Sequence, residues 1–402
     1  MTPDANSKAL LGLARLMKMA YEKVDLQPLA EVLLNRSSVD ARDANALMDL
    51  STLLFLRQLD DLAMSTLAEA LKVQRLYELP ASLPTKVRLL AIMTIGDLMA
   101  NAPLAFLCEN SDISLSMYYV LPGELISQEL PPHDMAMIAV SESASTRRLL
   151  EQLTQSVRTW RKPLLNRPER VLSTARPQAY QLLRGARGVS IPATTQVSRE
   201  QLQALCGGQL DLLTVLSDGA FPLIVRPVGS HAGHGLQKIE TRPDIARYLN
   251  ANPEHDFYIS RFIDYRDSDG QFRKYRVVLI DGVAHAAHQG VSSHWMIHYL
   301  NAGMDESAQK RGEEAAFMSG FESNFAVRHA GALQAIFERF GLEYLVIDCA
   351  ETADGNLLVF EVDPGAVVHS LDPIELFPYK AAAMKKIYES FRNLLLKAPH
   401  AN

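Results

Sequence analysis

The chain has 402 residues, 48% hydrophobic and 21% charged, an ordinary globular composition with length for about two or three domains. Its formal net charge of -6 argues against a general nucleic-acid binder, which would carry a basic face. Three widely spaced cysteines, Cys108, Cys206 and Cys349, give neither a disulfide framework nor a thiolate metal site and suit a reducing cytoplasm.

Met1-Thr-Pro-Asp lacks the basic-then-apolar start of a signal peptide. The longest apolar candidate, Leu89 to Leu107, is broken by Asp97, Asn101 and Pro103, so no membrane span is expected. Residues 5 to 79 hold almost no glycine and repeat apolar residues at three- and four-residue spacing. Leu10, Leu13, Leu16, Met17 and Tyr21 form one such face, and Leu47, Leu50, Leu53, Leu54 and Leu56 belong to another. These are amphipathic helices. Asp43 to Leu79 has the spacing of a degenerate tetratricopeptide-like helical pair. Such a region serves as a bundle packed on the rest, a homodimer interface or a peptide groove; a free-standing stack usually needs at least about three repeats.

Pro80 to Pro84 ends the helical pattern. Lys86–Met93, Leu115–Leu121 and Met135–Val140 then read as strands with helix-like segments between them, which predicts a small doubly wound α/β domain over residues 83–165. It has no Gly-x-Gly-x-x-Gly, so no dinucleotide is assigned. From Asn166 the pattern is mixed. It predicts a helix over Thr174–Arg184, an edge strand at Ile191–Thr195, a capped helix from Ser198 and a strand at Phe221–Arg226.

Gly229, Ser230, Gly233 and Gly235 follow that strand, and Leu236–Ile239 resumes as another. A loop between two strands is a hairpin flap, whose glycines let backbone N–H groups approach an anion; it equally suits a plain mobile turn. Arg226 stands just before it and is suited to grip a phosphate through its fork. Phe257–Ile263 reads as a strand leading to Asp264, and Lys274 and Arg276 share one side of a further strand that turns at Asp281-Gly282.

Near the C-terminal end, Tyr344–Asp348 and Leu357–Asp363 flank Asp354-Gly355-Asn356, a hairpin signal. Glu361 and Asp363 share a face by the two-residue period, and Asp348, ending the first apolar run, can sit opposite them. Three hard oxygen donors suit Mg²⁺; taken alone, the segment also fits an acidic hairpin facing solvent. His285, His288, His294 and His298 follow the basic strand, but their spacing is weak for zinc, and the carboxylates already account for a metal. His288 and His298 read as hydrogen-bond donors to phosphate or a substrate carboxylate, covered by Trp295. The alternative puts Trp295 and Tyr299 in the core and the histidines on the surface.

In their joint order these motifs resemble the ATP-grasp superfamily, above all its glutathione-synthetase and ribosomal-protein glutamate-ligase branch, over about three quarters of the chain. The resemblance implies a two-lobed α/β fold over residues 166–402, with a flap lobe near 190–265, behind the smaller domain and the helical region 1–82. It implies ATP and Mg²⁺ or Mn²⁺ as cofactors, and an acyl phosphate that an amine converts to an amide. It places phosphate-binding cations at Arg176 and Arg226, an adenine hinge at Ser260, Arg261, Phe262 and Ile263, and a ribose acid at Asp264, with Asp267 or Asp269 in reserve. Arg276 falls beside the transferred groups, Asp348, Glu361 and Asp363 are metal ligands, and His369 borders the substrate. Two departures stand out. Both phosphate cations are arginine where the family has lysine, and Asp363 replaces the usual Asn, adding negative charge for the metal. The partners expected are ATP and a carboxylate and amine pair, on an amino acid, peptide or protein. The alternatives are a phosphotransferase that stops after phosphorylation and an inert helical adaptor.

Overall fold

A computed structural model describes residues 8–127, 129–230 and 233–397. The leader reading of Met1–Asp4 and flap residues His231 and Ala232 lie outside the described residues. The N-terminal region forms helices α1 (Leu13–Tyr21), α2 (Gln27–Val39), α3 (Ala44–Leu56) and α4 (Asp60–Val73). Asp43 caps α3 by accepting the Ala46 N–H at 3.0 Å. Asp49, fully buried inside α3, accepts from the Leu11 and Gly12 amides at 2.8 and 2.9 Å. These two bonds satisfy donors at the start of α1 and fix how that helix enters the structure.

The tetratricopeptide-like helical reading does not extend to Leu79. Leu76–Leu79 is strand β1, which pairs antiparallel with a neighbouring strand while the buried Tyr77 donates its hydroxyl to Ala70 O at 3.0 Å. Pairing with a sheet edge overrides a spacing that also fits a helix. Strands β2 (Val87–Met93), β3 (Ile113–Tyr119), β4 (Met135–Ile138) and β5 (Leu164–Leu165) complete this sheet in the order β1-β3-β2-β4-β5. β2 to β5 run parallel, as the alternation of strands and helices predicts. All four residues of β4 are buried, the signature of a parallel strand covered on both faces.

Beyond β6 (Val189–Ser190), strands β7 (Thr194–Ser198), β8 (Leu223–Pro227), β9 (Gln237–Ile239) and β10 (Asp256–Arg261) form an antiparallel sheet in the order β7-β10-β8-β9. The edge strand expected at Ile191–Thr195 starts only at Thr194 and runs to Ser198. Pro192 lacks the N–H that ladder pairing needs. The helix Arg199–Cys206 carries the expected cap, with Ser198 and Gln201 bonding reciprocally.

The third sheet holds β11 (Phe272–Ile280), β12 (Val283–Ser292), β13 (Tyr344–Glu351) and β14 (Leu357–Asp363), in the order β12-β11-β13-β14-β6. Asp281 and Gly282 turn β11 into β12 with φ of 50° and 79°, as an Asp-Gly hairpin requires. Asp348 lies inside β13, not at its end. Buried Cys349 and Ala350 carry the ladder on to Glu351.

One face of this sheet shares a core with the parallel sheet, the C-terminal helix Lys380–Lys397 and Ala14 of α1. The fold class is therefore the expected one: α/β, with one antiparallel sheet and one mostly antiparallel sheet, whose edge strand β6 runs parallel to β14, behind a smaller mostly parallel sheet and a helical region. Among the described residues, no helix is long and apolar enough to cross a membrane.

Candidate active site

Strand register builds the floor of the site. His288 on β12 lies opposite Arg276 on β11, Arg276 opposite Asp348 on β13, and Asp348 opposite Glu361 on β14. One row of chemistry-bearing residues thus crosses four adjacent strands, at about 4.8 Å per step. The register shifts just beyond this row, after Arg276 in one pair and after Asp348 in another. Such bulges re-aim side chains and recur beside active sites. Lys274 shares the face of Arg276, and Asp363 shares that of Glu361, each by period two.

Arg276 donates to both oxygens of Asp348 at 2.8 and 3.0 Å, and Lys274 reaches the same carboxylate at 2.7 Å. Asp348 is 5% exposed, and these two cations hold it well below the usual carboxylate range despite the cost of burial. Arg276 also donates to the Val367 carbonyl at 2.9 Å, which ties it to the loop bearing His369. Arg176, at the start of its helix, donates to Glu361 at 2.5 Å and to Phe360 O at 3.0 Å. Burial, and secondarily Glu361, pushes Asp363 up to about 7.

Arg226 grips the base of the flap, donating to the hydroxyl of Ser230 at 3.3 Å and to its carbonyl. Burial and the nearby Arg176 lower it to about 10. β8 and β9 pair as a hairpin around this flap, with Gly229, Gly233 and Gly235 at φ of 79°, 80° and 64°. At Gly235 a Cβ would stand 2.6 Å from Pro227 Cδ, so glycine is required there by space as well as by backbone.

Gly233 of the flap, Ser260–Ile263, where the hinge is expected, and the strand row line a cleft of about 760 Å³. Arg176, Arg226, Gly233, Arg276, His288, His298, Asp348, Glu361, Asp363 and His369 all line it. Gly229, Ser230 and Gly235 stay in the flap hairpin. Asp264 does not line the cleft; it is bonded to Arg266 at 3.0 Å, while Asp267 and Asp269 are paired with Arg273. The adjacent run of Asp and Arg residues satisfies itself locally.

The histidines separate. His288 is buried in the row, its Nδ1 without a hydrogen-bond partner, and burial keeps it far below its usual range and hence neutral. His298 is lowered by burial and by Lys274. His285 senses Glu322 and Lys386 on another side, and His294 is exposed. Among the described residues, no group of three His, Cys, Asp or Glu side chains stands ready around a common metal position. Glu361 and Asp363 nevertheless fit a hard divalent cation: both are oxygen donors, and they stand two residues apart on one strand, lining the same cleft. The oxygens of Asp348 are taken by Arg276 and Lys274.

Five residues at the cleft were not assigned site roles from the sequence. Lys274 neutralises Asp348; Lys380 and Asp372, paired at 3.0 Å, line the cleft; and α1 brings Met17 and Tyr21 to it. Lys274 was legible, two residues from Arg276 on one strand face. The others come together only through packing between distant segments.

Two antiparallel-rich sheets thus flank a cleft that holds a glycine-containing hairpin and a row of basic and acidic residues. No family model and no curated protein matches the chain. Solved structures do. The RimK domain protein ATP-grasp from Sphaerobacter thermophilus DSM 20745 is 16% identical over 77% of this chain and 99% of its own, with a TM-score of 0.43. VanG D-Ala:D-Ser ligase from Enterococcus faecalis is 12% identical over 77% and 99%, with a TM-score of 0.47. The ATP-grasp ligase PsnB, complexed with precursor peptide PsnA2 and AMPPNP, is 12% identical over 78% and 99%, with a TM-score of 0.42. These values are too low to transfer an activity or a substrate to this chain.

Proposed function

We propose that the protein is an ATP-dependent carboxylate–amine ligase acting in the cytoplasm. The observation that supports this most is the His288–Arg276–Asp348–Glu361 row beneath a glycine flap, with two further arginines at the rim. On this reading Arg176 and Arg226 hold the triphosphate, the backbone at Gly229, Ser230, Gly233 and Gly235 covers it, and Ser260–Ile263 seat the adenine. Asp264 would have to release Arg266 to reach a ribose.

Glu361 and Asp363 would hold Mg²⁺ or Mn²⁺, joined by Asp348 if Lys274 moves aside. Bound there, the ion would neutralise charge on the phosphates. Arg276, already fixed on two sides, would stabilise the charge that develops as a substrate carboxylate attacks the terminal phosphate. Neutral His288 and His298 would donate or accept single hydrogen bonds beside it. Closure of the flap would keep water from the acyl phosphate until an amine displaces it.

The test is calorimetry of ATP–Mg²⁺ binding, followed by a screen of amino acids and peptides for ADP release with the product identified by mass. An amide formed with one ADP and one phosphate is the expected result. A phosphorylated product would mean a phosphotransferase, and absence of nucleotide binding would mean an adaptor.

A further inference from the structure

One end of the cleft is built by residues from outside both lobes. Met17 and Tyr21 of α1, Leu56 of α3 and Met99 line it together with His369, over the buried Met384 of the C-terminal helix. α1 is held there by its own core contacts and by the buried Asp49 at its start. The Tyr21 hydroxyl lies 3.4 Å from His369 Nε2, the two rings meet edge-on at 5.2 Å, and Phe106 packs on the same histidine at 5.9 Å. Arg276, in the reactive row, bonds the Val367 carbonyl two residues before His369, so this end is continuous with the chemistry.

Its charges are already matched. Lys380 is paired with Asp372 and packs on the Tyr299 ring, and burial keeps both the Tyr21 phenol and the His369 imidazole uncharged near neutrality. What remains for a ligand is apolar surface carrying the part-exposed thioethers of Met17 and Met99, with Met384 buried beneath them. Methionine is flexible and polarizable, and it adapts to apolar groups of varied shape.

We infer that this end takes the apolar side chain of the amino acid or peptide that reacts at Arg276, and that α1 sets its size. The inference rests on the ligase reading for its reaction but not for its binding. It gives the helical region a part in the active site itself.

The first experiment measures ADP release with leucine, phenylalanine, glutamate and lysine, each free and in a dipeptide with alanine. Leucine or phenylalanine compounds should show the highest kcat/KM. Met17→Trp should lower it by about 10- to 200-fold for those compounds through KM, the range for mismatch in an apolar pocket, while ATP–Mg²⁺ affinity by calorimetry is unchanged. The second needs no turnover. In a Cys206→Ser background, where Cys108 and Cys349 are buried, Met17→Cys is treated with N-ethylmaleimide in the presence of AMPPNP. Leucine and phenylalanine compounds should slow the labelling, and the charged ones should not.

A preference for glutamate or lysine, no protection by any compound, or an unchanged kcat/KM in Met17→Trp would overturn the inference. Protection without nucleotide binding or ADP release would leave the pocket standing and refute the ligase reading instead.

Discussion

Replacing Asp348 with Asn separates the structural from the chemical part of the site. The wild-type carboxylate is 5% exposed and receives the Arg276 fork at 2.8 and 3.0 Å and Lys274 at 2.7 Å. Asn keeps the volume but removes the charge; its one carbonyl oxygen can still accept, while its NH2 group is left facing guanidinium and ammonium donors. Breaking a buried pair from one side costs about 3–5 kcal/mol, because the partner is left uncompensated. Here Arg276 retains the Val367 carbonyl and the field of Glu361 and Asp363, so the lower end, about 3 kcal/mol, applies. With a urea slope of about 3 kcal/mol/M for a chain this large, the unfolding midpoint should fall by about 1 M. ADP release should be lost as well, since Arg276 loses the partner that orients it. A midpoint within about 0.2 M of wild type would refute the reasoning, for Asp348 would then not be the anchor of the two cations.

Glu361→Gln should behave oppositely. Its ion pair with Arg176 involves a side chain 43% exposed, so stability should change by less than about 1 kcal/mol, whereas turnover should fall at least about 100-fold; urea melts and ADP release check both. Arg226→Met removes a charged fork at the flap base and should weaken ATP–Mg²⁺ binding about 10- to 100-fold by calorimetry, the scale of a lost charged hydrogen bond. Burial raises Asp49 from 3.8 to about 6, so the folded state holds its proton more tightly and wild-type stability from this group declines as pH rises between those values. Relative to wild type, Asp49→Asn should therefore gain about 3 kcal/mol between pH ~4 and pH ~7, measured by urea unfolding at both; a pH-independent difference would contradict the assignment.

Much of this protein is written locally. The Ser198–Gln201 cap, the Asp281-Gly282 turn and the alternation of strands and helices over 83–165 each follow from rules that act over a few residues, and the structure contains each. So does the sharing of a face by Glu361 and Asp363, because strand geometry fixes it whatever the strand pairs with. The sequence alone thus determined the fold class and most of the charged residues that line the cleft.

Only the tertiary structure decided the rest. Register across four strands aligned His288, Arg276, Asp348 and Glu361, and register depends on which strands meet and where bulges fall. It also gave Asp348 to two cations, which no spacing along the chain reveals. The part of Leu76–Leu79 as a sheet edge and the placing of Met17 and Tyr21 in the cleft came from contacts between distant segments. An amphipathic pattern states that a helix face is buried; what it is buried against is settled by the packing of the whole chain.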